Sequence, residues 1–166
     1  MLDTHAFSLA TLALLAASPL VASAQQPDPY GAPVGVEAAR RVAQAAVAEA
    51  HKNGWFVAVA VTDAGGNLVY YEKMDNTQLG SARIAVEKAR SSALFKRPTK
   101  AFEDAVNGGK PNTLALGVIA SEGGVPLVQD GKIIGAVGVS GGTSQQDGVC
   151  AKAGSDALTA KTAGSK

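Results

Sequence analysis

The sequence predicts an α+β domain in which helices pack on an antiparallel sheet of about five strands. Two pairs of short β-rich segments are each joined by a tight, glycine-containing turn, and strands linked in this way must run antiparallel. Helical segments precede, separate and follow these pairs, which is the arrangement of an α+β fold. About 142 residues follow position 24, which is enough for one domain with its own hydrophobic core.

The chain begins with a segment typical of exported proteins. An apolar stretch ends in Ala22-Ser23-Ala24, a small-x-small cleavage site. We therefore expect a signal peptide over residues 1–24 and a periplasmic or secreted mature protein without a membrane segment. The flank before the apolar stretch carries Asp3 and no Lys or Arg, so an uncleaved anchor is the alternative, although the stretch is shorter than the ~20 residues of a span.

Proline and small residues mark the limits of the folded part. Residues 25–33 contain three prolines and predict an extended leader. A single domain is expected over residues 34–160. Residues 161–166 are small or polar and predict a flexible tail.

The first helix and the first hairpin follow the leader. Apolar residues recur at helical spacing over Val36–Lys52, with charged residues on the other side. Asn53-Gly54 ends this helix, because glycine adopts the left-handed conformation of a helix C-terminus. Residues 55–63 and 67–75 are β-rich on either side of a short Ala-Gly-Gly turn and predict a hairpin.

The middle of the chain predicts two helices and one further strand. Alanines line one side of a helix over Leu79–Phe95, and Pro98 ends it. Thr99 is well placed to cap a short helix that continues to about Val106. Residues 113–119 fit a strand or a helix equally well by periodicity, and we interpret them as a strand.

The last third of the chain predicts a second hairpin and a final helix. Residues 125–129 and 132–140 are the two strands, and Asp130-Gly131 between them is a strong hairpin signal. The helix that follows is expected to begin with Thr143 or Ser144 as its N-cap.

Composition excludes several classes of function. Without residues 1–24 the chain loses only Asp3 among its charged residues, and 15 basic side chains then face 13 acidic ones. This balance, without a basic stripe, argues against binding to nucleic acid. Cys150 is the only cysteine, so an intramolecular disulfide and a CxxC site are excluded, and a small buried packing residue is the expected role.

Residues 123–147 are rich in glycine, and their spacing excludes two kinds of nucleotide site. The glycines fit neither the dinucleotide-binding pattern nor a phosphate loop ending in Gly-Lys-Ser/Thr. The run Gly138-Val139-Ser140-Gly141-Gly142 matches a nucleophile elbow, which needs a histidine later in the chain. No histidine follows Ser140, which argues against serine hydrolysis.

Close approach of another group explains these glycines better. Gly135 and Gly138 lie three apart in a predicted strand, where missing side chains admit another backbone, a flat ligand or a second subunit. The amides of Gly141 and Gly142, together with the N-terminus of the last helix, are a candidate seat for a carboxylate.

Three stretches carry a resemblance to a known family. They are AVAVTDAGGNLVYYEKMD, ARIAVEKARSSALFKRPT and GGVPLVQDGKIIGAVGVSGGTSQQD. Their order resembles the haem-binding HbpS/GlcG-like family, which includes domains fused to corrinoid adenosyltransferases, and the likeness runs from about Val36 to Leu158. It implies a profilin-like or PAS-like sheet, assembly into dimers or larger rings, and haem or a related tetrapyrrole as the ligand of several members. It does not imply one shared activity.

A haem site needs an apolar slot, an iron ligand and a cation for the propionates. His51 is the only histidine after residue 24 and is the candidate metal ligand, although the last turn of a helix also favours histidine for electrostatic reasons. The slot is expected between the second helix and the glycine-rich hairpin. The candidate cofactor-binding residues are His51, Met74, Arg97, Thr99, Gly124, Ser140, Gly141 and Gly142.

Several of these candidates have structural alternatives. Met74 is also suited to filling the core, and Thr99 to capping a helix. The cations that can meet propionates, or form a solvated helical face instead, are Lys88, Arg90, Lys96 and Arg97.

Two further functions stay open at this point. One is an enzyme that acts on a small hydroxy- or oxo-acid by carboxylate acid–base chemistry, which requires a perturbed carboxylate in a pocket. Its candidates are Glu87, Glu103, Asp104 and Asp147. The other is an accessory or assembly protein without a ligand.

Overall fold

The computed structural model of the chain describes residues 27–159 and confirms the α+β class. The predicted signal peptide, the start of the leader and the predicted tail over 161–166 lie outside the described residues. The helices are α1 (Val36–Lys52), α2 (Ser81–Phe95), α3 (Lys100–Asn107) and α4 (Ser144–Thr159), and the strands are β1 (Ala58–Asp63), β2 (Leu68–Lys73), β3 (Gly124–Gln129) and β4 (Lys132–Ser140). None of the four α-helices within residues 27–159 combines the length and the hydropathy that a bilayer span requires.

The sheet has four strands, in the order β2-β1-β4-β3, and all neighbouring pairs are antiparallel. The expected fifth strand over residues 113–119 is wrong, because Pro111–Leu116 forms a 3-10 helix that packs against α3 instead of the sheet. Leu114 and Leu116 in this segment are 52% and 55% exposed.

The hairpin between β3 and β4 forms as the sequence predicts. Asp130 and Gly131 both have positive φ, 51° and 68°, which is the conformation of the two-residue turn that matches strand twist. The sequence therefore predicts the position and the conformation of this turn correctly.

The two faces of the sheet are covered by different helices. Val57, Val59 and Val61 point into the main core, which α1 and α4 complete. The alternate residues Ala58 and Ala60 point to the other face and pack against α2. Because β-strand side chains alternate between faces, one short strand serves both layers.

Helix α2 lies directly on the glycines of the sheet. A Cβ atom added to Gly138 would lie 2.5 Å from the Ala89 amide nitrogen and would overlap the Ala85 carbonyl oxygen. A Cβ on Gly124 would overlap the Lys88 carbonyl in the same way. The expectation that Gly135 and Gly138 leave room for a ligand or a second chain is therefore wrong. The backbone of α2 occupies the space at Gly138, and the β1 backbone at Thr62 occupies the space at Gly135.

The described part of the leader is bound to the domain. The Gly31 amide donates to the Ile133 carbonyl at 2.8 Å, and the Val34 amide donates to the Ile134 carbonyl at 2.9 Å. The Tyr30 hydroxyl donates to the last carbonyls of α2, 3.0 Å from that of Ala93. This stretch thus ties the start of β4 to the end of α2.

Cys150 lies in α4 with no exposed surface, as expected for a packing residue. Burial raises the pKa of its thiol to about 11, and the nearby Asp147 carboxylate adds to the shift. The thiol therefore stays protonated at neutral pH and is not a nucleophile.

Candidate functional site

A surface cleft of about 320 Å³ opens at the end of the sheet where β1 begins and β2 ends. We call it the His51 cleft. Helix α1 supplies one wall, and the open end of the first hairpin supplies the other. Its lining residues are Val47, His51, Phe56, Glu72, Lys73, Met74, Asp75 and Asn76.

Two of the predicted site residues meet in this cleft. His51 lies in the last turn of α1, and its side chain is exposed. Met74 is buried, and its Sδ accepts a hydrogen bond from the Val57 amide at 3.5 Å. Imidazole and thioether are both axial ligands of haem iron. The imidazole is accessible to a ligand, whereas the thioether already has a structural contact and confirms the expectation of core filling.

The apolar part of the cleft comes from Val47 and Phe56. Phe56 is 49% exposed although it lies only two residues before the buried strand β1. Gly141 packs closely against its main chain, because a Cβ added to Gly141 would overlap the Phe56 carbonyl oxygen and lie 2.8 Å from the Val57 Cα. The glycine corner after β4, Gly141-Gly142, thus packs against the main chain of a residue that lines the cleft.

Thr99 and Gly124 lie elsewhere and bind each other. The Gly124 amide donates to the Thr99 Oγ1 at 2.8 Å, and the Thr99 amide donates to the Gly124 carbonyl at 3.0 Å. Thr99 has no exposed surface, and its hydroxyl makes no capping hydrogen bond to α3. The predicted side-chain cap is wrong, because the hydroxyl accepts the hydrogen bond from β3 instead.

The predicted propionate cations are not near the His51 cleft. The Arg90 and Leu94 side chains of α2 lie close to Gly66, which is in the turn that follows β1. Lys96 lies over the Tyr30 ring at 4.2 Å, and the Arg97 Nε donates to the Phe95 carbonyl at 3.0 Å. These cations therefore occupy the opposite end of the sheet from His51.

Lys88 is a buried ion-pair partner. Its Nζ lies 2.7 Å from the Asp147 Oδ2, and the two residues are 1% and 3% exposed. The Gly123 backbone packs against both partners, since an added Cβ would lie within 3.0 Å of both side chains. The interpretation of Lys88 as a solvated or propionate-binding residue is therefore wrong.

The glycine corner does not offer a seat for an external carboxylate. The Gly142 amide already donates to the Asp147 Oδ1 at 2.9 Å. Burial raises the pKa of Asp147, and the Lys88 ammonium opposes that shift. Asp147 is thus a perturbed carboxylate, but it faces its internal partners rather than a pocket. Ser140, the last residue of β4, is also buried and pairs with Ala58 across the sheet.

The other predicted carboxylates also have internal partners. Glu87 pairs with Arg90 at 3.4 Å on the surface of α2. Glu103 accepts hydrogen bonds from the Glu122 amide and from the Ser144 hydroxyl, the latter at 3.1 Å, and so ties α3 to the start of α4. Within residues 27–159, no three His, Cys, Asp or Glu side chains are grouped to hold a metal ion.

Sequence reasoning missed most of the cleft. Phe56, Glu72, Lys73 and Asp75 line it, yet none was a candidate. The available signal was the hairpin itself, because the residues before its first strand and after its second must meet at the same open end. Placing His51 at the end of the preceding helix would have added the third wall.

Comparison with known proteins identifies relatives of the whole domain. Residues 34–156 match the family described as haem degrading protein HbpS-like. Protein GlcG of Escherichia coli strain K12 is 50% identical over 93 residues, which are 55% of this chain and 69% of GlcG.

Two solved structures share the fold. A double mutant of HbpS from Streptomyces reticuli superposes with a TM-score of 0.72 at 30% identity, covering 86% of this chain and 98% of that one. A PduOC–haem complex superposes with a TM-score of 0.71 at 27% identity, covering 76% and 96%. Since the family match spans nearly all of the described residues, this chain belongs to the HbpS-like family.

Proposed function

We propose that this protein binds haem or a related iron tetrapyrrole in the His51 cleft, with His51 as the axial ligand. The observation that carries the proposal is that the single histidine after residue 24 is exposed and lines a cleft with apolar side chains. Membership of the HbpS-like family and the likeness to the PduOC–haem complex support haem as the ligand.

The cleft has the parts that such a ligand needs. The His51 imidazole supplies a nitrogen donor for iron, and the half-exposed Phe56 ring supplies an apolar surface for a porphyrin face, with the buried Val47 completing the apolar lining. Helix α1 and the hydrogen bond from Val57 to Met74 hold these walls in place without the ligand. Bound haem would supply redox-active iron. The residues of this chain would orient the ring and exclude water from one of its faces.

A titration with hemin tests the proposal. We expect the mature protein to shift and sharpen the Soret band, and we expect His51→Ala to weaken hemin binding by about tenfold or more, which corresponds to at least about 1.4 kcal/mol. Lys52→Ala changes the neighbouring exposed residue in the same helical turn and should bind like the wild type. Met74→Leu should also retain the band, because its sulfur is engaged with the backbone.

Two outcomes would contradict this assignment. A spectrum identical to that of hemin in buffer would end the haem proposal for this chain. Equal binding by the wild type and His51→Ala would leave haem as the ligand and remove His51 as the iron ligand.

We also propose that the protein is exported to the periplasm or secreted after cleavage behind Ala24. The small-x-small site and the preceding apolar stretch support export. Intact mass measurement on protein from fractionated cells should show a chain that begins at Gln25, outside the cytoplasm. A full-length cytosolic chain would contradict export. Self-association stays a prediction, which size-exclusion chromatography tests.

A further inference from the structure

The charged side chains that line the His51 cleft are unequal in sign. Glu72 and Asp75 contribute carboxylates, and Lys73 contributes one ammonium group. The Tyr70 hydroxyl donates to the Glu72 Oε2 at 3.2 Å, which fixes the position of that carboxylate. Asp75 is exposed and Glu72 is half-buried, so the lining carries one net negative charge where the cleft meets solvent, which we call its mouth.

Haem has two chemically different edges. One edge carries two propionate groups, and the opposite edge carries only apolar substituents. Carboxylates a few ångströms apart repel each other, and the repulsion grows where water is partly excluded. The basic residues Lys96 and Arg97, which would attract propionates, lie at the other end of the sheet.

We propose that the cleft admits a tetrapyrrole by its edge without propionates, and that Glu72 and Asp75 keep carboxylate substituents in solvent. This inference rests on the proposed function. It adds a preference for ligands with less negative charge, because Glu72 and Asp75 do not repel a tetrapyrrole whose carboxylates are neutralised. The site is thus selective for tetrapyrroles with few carboxylates near the entering edge.

The test compares hemin with hemin dimethyl ester, in which both propionates are uncharged. The double variant Glu72→Gln/Asp75→Asn should bind hemin about twofold to fivefold more tightly than the wild type, as expected for removing partly solvated charge contacts. Its affinity for the ester should be unchanged. The matched control Asp130→Asn/Asp156→Asn removes the same net charge at the β3–β4 turn and in α4, and should change neither affinity.

Salt gives a second measurement that needs no variant. Wild-type affinity for hemin should rise towards that for the ester between 0.1 M and 1 M NaCl, because the screening length falls from about 10 Å to about 3 Å. Two results would overturn the charge preference while leaving the haem site intact. One is an equal increase in affinity for hemin and for the ester in the double variant. The other is an unchanged affinity for hemin in the double variant together with a wild-type affinity that does not respond to salt. Absence of a complex with either compound would overturn the proposed function and this inference together.

Discussion

Replacing Gly138 with alanine is expected to lower the free energy of unfolding by about 3 kcal/mol, at the upper end of the usual effect of overpacking. The new methyl group would overlap the Ala85 carbonyl and lie 2.5 Å from the Ala89 amide nitrogen. These are backbone atoms of α2, so no side-chain rotation can relieve the contact. Either the helix must move away from the sheet or β4 must bend. Equilibrium unfolding in urea measures the loss.

Gly80→Ala is the matched control for this substitution. Gly80 precedes α2 with helical φ and ψ angles of −63° and −27°, and a Cβ there would meet no atom within 4 Å. Its free energy of unfolding should stay within about 0.5 kcal/mol of the wild type. If Gly138→Ala is as stable as this control, the close packing of α2 on the sheet is not as described.

The glycine-rich stretch shows what sequence can and cannot determine. Missing side chains at Gly135 and Gly138 indicate that something approaches the strand closely, and this part of the prediction is correct, because backbone atoms of β1 and of α2 lie there. The identity of each neighbour depends on which strand pairs with β4 and which helix folds back onto the sheet, and no local pattern contains that information. The β1 and α2 backbones take the place that we expected a ligand or a second subunit to fill.

Local turn chemistry was predicted well for a related reason. Asp130 and Gly131 need only their own backbone angles to form the hairpin turn, so the sequence is sufficient. Residues 113–119 differ, because strand and helix are equally compatible with their pattern, and the pattern does not show that Pro111–Leu116 packs against α3. Leu114 and Leu116 stay about half exposed in that 3-10 helix.

The candidate site was predicted only in part. His51 and Met74 do line one cleft, and both were candidates. The other candidates lie in other regions. Arg97 is hydrogen-bonded to the Phe95 carbonyl, and Thr99 and Gly124 are hydrogen-bonded to each other. The second and third stretches that indicated the family thus stabilise the fold at these positions, whereas the end of the first stretch, from Glu72 to Asp75, lines the His51 cleft.

The position of Lys88 in the helical pattern of α2 indicates that its side chain is buried. It lies three residues after Ala85 and one before Ala89, on the alanine side of α2 rather than on its solvated side. A charge on a buried helical face requires a partner, and the partner is Asp147, 59 residues later in the chain. Sequence indicates the need for an ion pair here, but only the fold identifies the carboxylate.

Lys88→Met is expected to lower the free energy of unfolding by about 3–5 kcal/mol at pH 7, because it leaves the Asp147 carboxylate buried without its cation. The double variant Lys88→Met/Asp147→Asn should recover much of this loss. Its asparagine oxygen can still accept the hydrogen bond from the Gly142 amide, and no uncompensated charge remains. Urea unfolding of the wild type, the single variant and the double variant measures both effects.

The pH dependence of the single variant distinguishes a lost charge partner from lost packing. Burial already raises the pKa of Asp147, and removal of Lys88 takes away the largest influence that lowers it. A carboxyl whose pKa is higher in the folded than in the unfolded state favours folding at low pH, and that contribution is lost as the pH rises through the folded-state value. The deficit of Lys88→Met should therefore shrink as the pH falls from 7 towards 4, whereas the deficit of the double variant should not. Equal deficits for both variants at every pH would show that Lys88 stabilises the fold through its alkyl chain and not through its charge.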